Sequence, residues 1–124
     1  MTFRLFKNHT HPLDARWNLI TNDQEIIDPS WEDIIKALAN AHEGEGLFVT
    51  LESLLNEEGI KVLQALGRNE GGMKYRLEAI PCDLKPEIYY CKEDLSFEEA
   101  LNYYQEFFQT RHIDRFSYWR REEL

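Results

Sequence analysis

The stretch Leu47–Ile80, LFVTLESLLNEEGIKVLQALGRNEGGMKYRLEAI, decides how the rest of the chain is read. Its first run sets Leu47, Val49 and Leu51 against Phe48, Thr50 and Glu52, the two-residue period of a strand with one buried face. Its last run repeats the pattern, with Met73, Tyr75, Leu77 and Ala79 opposing Lys74, Arg76 and Glu78. Between them, Ile60, Val62 and Leu66 alternate until Leu63 interrupts, as in a central strand covered on both faces. The connections NEEG and RNEGG supply the Gly and Asn that tight hairpins need. A fourth run, EIYYCK at 87–92, follows the turn-rich PCDLKP. The four runs predict an antiparallel meander with one apolar face and one largely polar face.

One helix is predicted before this meander in the chain and one after it. DPSWEDIIKAL, Asp28–Leu38, opens with Ser30 as cap and Asp33 three residues on as a capping-box acid, and Pro29 fixes the entry. Trp31, Ile34, Ile35 and Leu38 then make one apolar stripe, with Trp31 expected to wedge between helix and sheet. SFEEALNYYQEFFQ, Ser96–Gln109, pairs Ser96 with Glu99 in the same way and offers Phe97, Leu101, Tyr104 and Phe108 as its buried stripe. Tyr103 and Phe107 form a second aromatic line beside it. Two short runs near the start, TFRLF at 2–6 and RWNLI at 16–20, alternate as strands, and the tail is expected to pack Phe116 and Trp119 back on the domain. One apolar face on each helix and one on the sheet predict a single α+β domain over residues 1–124. The expected form is two-layer: a mostly antiparallel sheet of four to six strands with both helices packed on one face.

Composition bounds the function. The 124 residues carry 14 Lys and Arg against 23 Asp and Glu, a formal charge of -9. That balance disfavours direct binding to nucleic acid or an anionic membrane and favours a basic protein partner. Cys82 and Cys91 have no Cys-x-x-Cys spacing and read as free thiols in a reducing compartment. The first residues, MTFRLFKNHTHP, lack the apolar run of a signal peptide or membrane span, so a cytoplasmic location is expected.

Catalytic chemistry finds no foothold in the residue pattern. His9 and His11 alternate without a third ligand at a fitting spacing, and His42 and His112 sit near helix ends where an imidazole serves the dipole. GRNEGG, Gly67–Gly72, lacks the Walker lysine and precedes a strand, so it reads as a turn. No Gly-x-Ser-x-Gly elbow is present, and Ser30 and Ser96 are caps. No catalytic residue, metal or cofactor is assigned. The meander brings one set of loop ends to a common rim, which collects Glu43, Glu45, Glu70, Glu93 and Asp94 opposite Arg68 and Lys92. This rim is the expected partner-binding surface, because concentrated acidic charge steers a basic partner. The sheet face around Phe48, Glu52, Arg76 and Glu78 is the alternative surface.

The order RWNL, DPSWEDIIKAL, LFVTLE, GGMKY and SFEEALNYYQEFF with a late Tyr118-Trp119 resembles the deaminase-toxin-associated immunity proteins of bacterial polymorphic toxin systems. The resemblance runs from Trp17 to Trp119 and rests on Pro29-Ser30-Trp31, Gly71-Gly72 before Tyr75, and Glu99-Ala100 followed by Trp119. Where the pattern carries a glycine after the last helix, this chain reads Thr110-Arg111-His112. The resemblance implies a cytoplasmic antidote, without catalysis of its own, that neutralises the C-terminal toxin domain of its cognate system, nucleic-acid deaminases among them. A small-ligand-binding or regulatory domain, with a pocket between the C-terminal helix and the sheet, is the alternative.

Overall fold

The computed structural model describes residues 15–41, 47–68, 74–83 and 87–123. These segments contain seven strands: β1 Trp17–Thr21, β2 Glu25–Ile27, β3 Phe48–Ser53, β4 Ile60–Arg68, β5 Lys74–Pro81, β6 Ile88–Leu95 and β7 Arg120–Glu123. Helix α1, Trp31–Ala41, joins β2 to β3, and α2, Phe97–Thr110, joins β6 to a 3₁₀ turn at Phe116–Tyr118 that leads into β7. The strands form one sheet in the order β2-β1-β3-β4-β5-β6-β7. Every pairing is antiparallel.

Seven strands correct the expected four to six. At three residues, β2 is too short to show a period, and β7 reads Arg-Arg-Glu-Glu with no apolar residue to mark a face. The strand expected at 2–6 lies outside the described residues. The central position of β4 holds: Leu63 and Ala65 are fully buried on one face, Val62 on the other. Leu63 therefore breaks the alternation because both faces of its strand are covered.

Each helix starts where its capping box places it. Asp33 N–H donates to the Ser30 hydroxyl at 3.1 Å while Ser30 N–H donates to the Asp33 carboxylate at 2.9 Å. Ser96 and Glu99 repeat the exchange on α2 at 3.1 and 3.0 Å. Ahead of α1, Asp28 has a left-handed backbone, φ 49°, and its carboxylate accepts from Arg16 and Trp17 N–H, tying the helix entry to the start of β1.

Both helices cover the face formed by Leu19, Val49, Leu51, Leu63, Ala65, Leu77 and Ala79, with which Ile34, Leu38, Tyr104 and Phe107 share one core. Tyr104 is fixed by its hydroxyl, which donates to the Val49 carbonyl at 2.8 Å and the Leu63 carbonyl at 3.3 Å. Tyr75 reaches from the sheet in the opposite sense and donates to the Leu38 carbonyl in α1. The centre of the α2 stripe is Ala100, Tyr104 and Phe107; Phe97, Leu101 and Phe108 flank it half-buried. The stripe is thus turned from the one expected, toward the line that includes Phe107.

Trp31 is half-buried and stacks on Phe108, with centroids 6.0 Å apart and planes at 23°. Trp17 meets Phe107 edge-on at 5.2 Å. The four rings close the junction of α1, α2 and β1, so Trp31 seals helix against helix rather than wedging under its own helix. At the far end, Trp119 packs edge-on against Tyr103 at 5.1 Å, and Phe116 against Tyr90 at 5.4 Å, as expected of the tail. No helix among the described residues is long and apolar enough to cross a membrane.

Candidate functional site

On the helix-free face, strand register sets Thr50 beside Gln64, Gln64 beside Glu78, Glu78 beside Cys91 and Cys91 beside Arg120. Polar side chains in and next to this row join into a ladder across five strands. The Thr50 hydroxyl donates to Gln64 Oε1 at 3.1 Å, and Gln64 Nε2 donates to Glu78 Oε1 at 3.3 Å. Arg76 then bridges inward and outward: its Nε donates to Glu78 Oε2 at 3.1 Å, its Nη1 to Glu93 Oε1 at 3.0 Å and its Nη2 to the Tyr89 hydroxyl at 3.2 Å. Arg120 on β7 closes the ladder, donating to Glu93 Oε2 at 2.9 Å and pairing with Glu122 at 2.7 Å.

Exposure rises along the ladder, from 0% for the Glu78 side chain through 14% for Arg76 and 32% for Glu93 to 53% for Arg120. Electrostatics follows that gradient. Burial pushes the Glu78 carboxyl above its ordinary range, and the Arg76 guanidinium opposes the shift. Burial also works against the charge of Arg76, but Glu93 and Glu78 outweigh it and hold the guanidinium protonated. Glu93 lies below the ordinary range because Arg120 and Arg76 donate to it. Both oxygens of Glu78 are occupied by donors, as are both of Glu93, so neither carboxylate is presented as a base. The ladder fastens β7 to the sheet and aims Arg120 and Glu122 at solvent.

The rim inferred from the meander exists. The start of β3 meets the end of β4 through Gly67 N–H donating to the Leu47 carbonyl at 3.1 Å, Arg68 pairs with Lys74, and Tyr75 pairs with Leu95. Of its expected acids, Asp94 is exposed and has a left-handed backbone, φ 59°, at an irregularity in the β5–β6 register. Glu93, one residue earlier, turns onto the ladder and is neutralised between Arg76 and Arg120. Glu43, Glu45 and Glu70 lie outside the described residues. The described part of the rim also exposes Arg68 and Lys74.

On the alternative surface, Glu52 is 7% exposed and Glu78 is buried, so neither is presented to a partner. Of the pocket expected between α2 and the sheet, the space under the middle of the helix is filled by Ala100, Tyr104 and Phe107, while an open cleft remains at the edge where α2, β6 and the turn into β7 meet. Cys91 is buried; the half-buried Cys82 thiol donates to the Asn56 carbonyl at 3.6 Å, and burial raises its pKa, which keeps it protonated. His112 packs edge-on against Phe116 at 5.9 Å. Among the described residues no three His, Cys, Asp or Glu are grouped to hold a metal ion, and His9, His11 and His42 lie outside them.

Arg120 and the role of Gln64 escaped the sequence reading. The signal for Gln64 was present: alternation puts Thr50, Gln64 and Glu78 on like faces of successive strands, and antiparallel pairing brings like faces together. Arg120 carried no such signal, since β7 has no apolar period. Compared with known proteins, the chain matches no family model, no curated protein and no solved structure.

Proposed function

We propose that this chain is a cytoplasmic immunity protein, an inhibitor without chemistry of its own that binds the C-terminal toxin domain of a cognate bacterial polymorphic toxin. The observation that carries the proposal is charge: a 124-residue domain with a formal charge of -9 suits a basic partner such as a domain that handles nucleic acid. The motif order that resembles the immunity family supports it. Both capping boxes, Trp31 and Trp119 hold the helix layer and the tail in place, so the shared motifs are ones on which the fold depends.

The rim remains the proposed contact surface, with Asp94 as its exposed acid in β6 and Glu43, Glu45 and Glu70 as its further members. Glu93 supports it from behind, through the ladder. Producing the cognate toxin domain in bacteria with and without this chain tests the role. Co-production restores growth if the chain is an antidote; arrest that persists although both proteins accumulate contradicts it.

A further inference from the structure

Beside the exposed end of the ladder, an open cleft of about 520 Å³ lies between β6, α2 and the turn that leads into β7. Lys92, Arg115 and Arg120 line it, against the carboxylates of Glu93 and Asp114, so its lining is net positive on a chain of -9. The cations are available to different degrees. Lys92 makes no ion pair among the described residues, and its Nζ lies 6.0 Å from the Tyr103 ring centroid. Arg115 pairs with Asp114 at 3.7 Å, but both side chains are more than three-quarters exposed, at 76% and 81%, where such a pair holds little energy. Arg120 keeps 53% of its side chain accessible.

Tyr118, at the lip of the cleft, is 80% exposed, while neighbouring Trp119 is packed down against Tyr103. Arg115, with φ 58°, sets the left-handed start of the 3₁₀ turn that presents Tyr118. An exposed Tyr and Arg around a buried Trp is the composition of an interface hot spot. Strand β7 pairs with β6 only as far as Cys91, and the irregularity at Asp94 distorts the open end of β6, so recognition here falls to side chains rather than to an added strand.

We infer that this cleft receives an acidic segment of a protein partner, its carboxylates meeting Lys92, Arg115 and Arg120 and an apolar or aromatic side chain lying on Tyr118. This local preference is opposite to the one expected of the whole chain, and it holds whether or not the partner is a toxin. On a partner that is basic overall, an acidic loop seated here would fix the docking orientation, because the same loop is disfavoured elsewhere on a chain of -9.

The test titrates the isotope-labelled protein with a blocked peptide of Glu residues around one central Trp, with its Lys counterpart, and with single-stranded DNA. The acidic peptide is expected to shift the Trp119 indole N–H and the amides of Lys92, Tyr118 and Arg120, more weakly as salt rises. Lys92→Glu combined with Arg115→Glu should weaken it by about tenfold or more. Tyr118→Ser should weaken it without altering the rest of the spectrum, because that ring is exposed. Equal shifts with the Lys peptide, tighter binding of the DNA at the same residues, or no shift of Trp119 up to saturating acidic peptide would overturn the inference.

Discussion

Arg76 and Glu78 stand two residues apart on β5, and the pleat points both to the helix-free face, where Arg76 Nε donates to a fully buried Glu78 carboxylate at 3.1 Å. Removing one member of such a pair strands a charge, whereas removing both relieves the cost of burying them. Arg76→Met, which leaves the buried Glu78 carboxylate without its cation, is therefore expected to cost about 3–5 kcal/mol in urea unfolding at neutral pH. Replacing Arg76 and Glu78 together with Met should cost less than Arg76→Met alone. A double variant as unstable as the sum of the singles would mean that the two side chains act independently.

Glu78 and Glu93 leave opposite marks on the pH dependence of stability. The folded pKa of Glu78 is raised by burial above the ordinary 4.5, so just above that value the native state holds a proton that the unfolded chain has released. Its contribution falls as pH rises through that window. For Glu93, donors from Arg120 and Arg76 lower the folded pKa below 4.5, so its contribution is present above that value and lost as pH falls through the folded pKa. Urea midpoints across the acid range should show a flatter decline above 4.5 for Glu78→Gln and a flatter acid limb for Glu93→Gln.

Arg111 ends α2 in the left-handed region, φ 61° and ψ 21°, a conformation that favours glycine. A side chain in that conformation costs about 1–2 kcal/mol, part of which glycine returns as unfolded-state freedom. Asn56 holds the strained residue by donating to its carbonyl at 2.9 Å. Arg111→Gly is expected to raise stability by roughly 0.5–1 kcal/mol, measured by thermal and urea unfolding. A loss of stability would show that the Arg111 side chain contributes more than its backbone costs.

Much of the fold could be read from residue order because its signals are local. Ser30 with Asp33, and Ser96 with Glu99, need only a four-residue window, and the alternation through Val49, Leu51, Tyr75 and Leu77 needs only one strand. What stayed hidden was decided at a distance. The β7 strand is held by Arg120 reaching Glu93, 27 positions earlier, and nothing in Arg-Arg-Glu-Glu announces that pairing. The candidate rim was legible as a place, since strand direction alone brings those loop ends together. Which of its acids face solvent was not, because the orientations of Glu93 and Asp94 depend on an irregularity in the β5–β6 register.

That irregularity separates two adjacent acids into different roles. Asp94→Asn removes an exposed charge and keeps a residue that tolerates a left-handed backbone. It is expected to leave the melting temperature within about a degree or two and to slow association with a basic partner, most visibly at low salt. Glu93→Lys should instead destabilise the fold, because it places a third cation between Arg76 and Arg120. Stopped-flow association paired with thermal melts distinguishes the two; equal effects of both variants on stability would contradict the division.

The most direct test of the proposed role is calorimetric titration of this protein with the C-terminal toxin domain of a candidate cognate toxin, at low and at high salt. An acidic antidote binds tightly and loses affinity as salt rises. No heat at any temperature tried, with both proteins folded, would contradict the proposal that this chain is an immunity protein for that toxin.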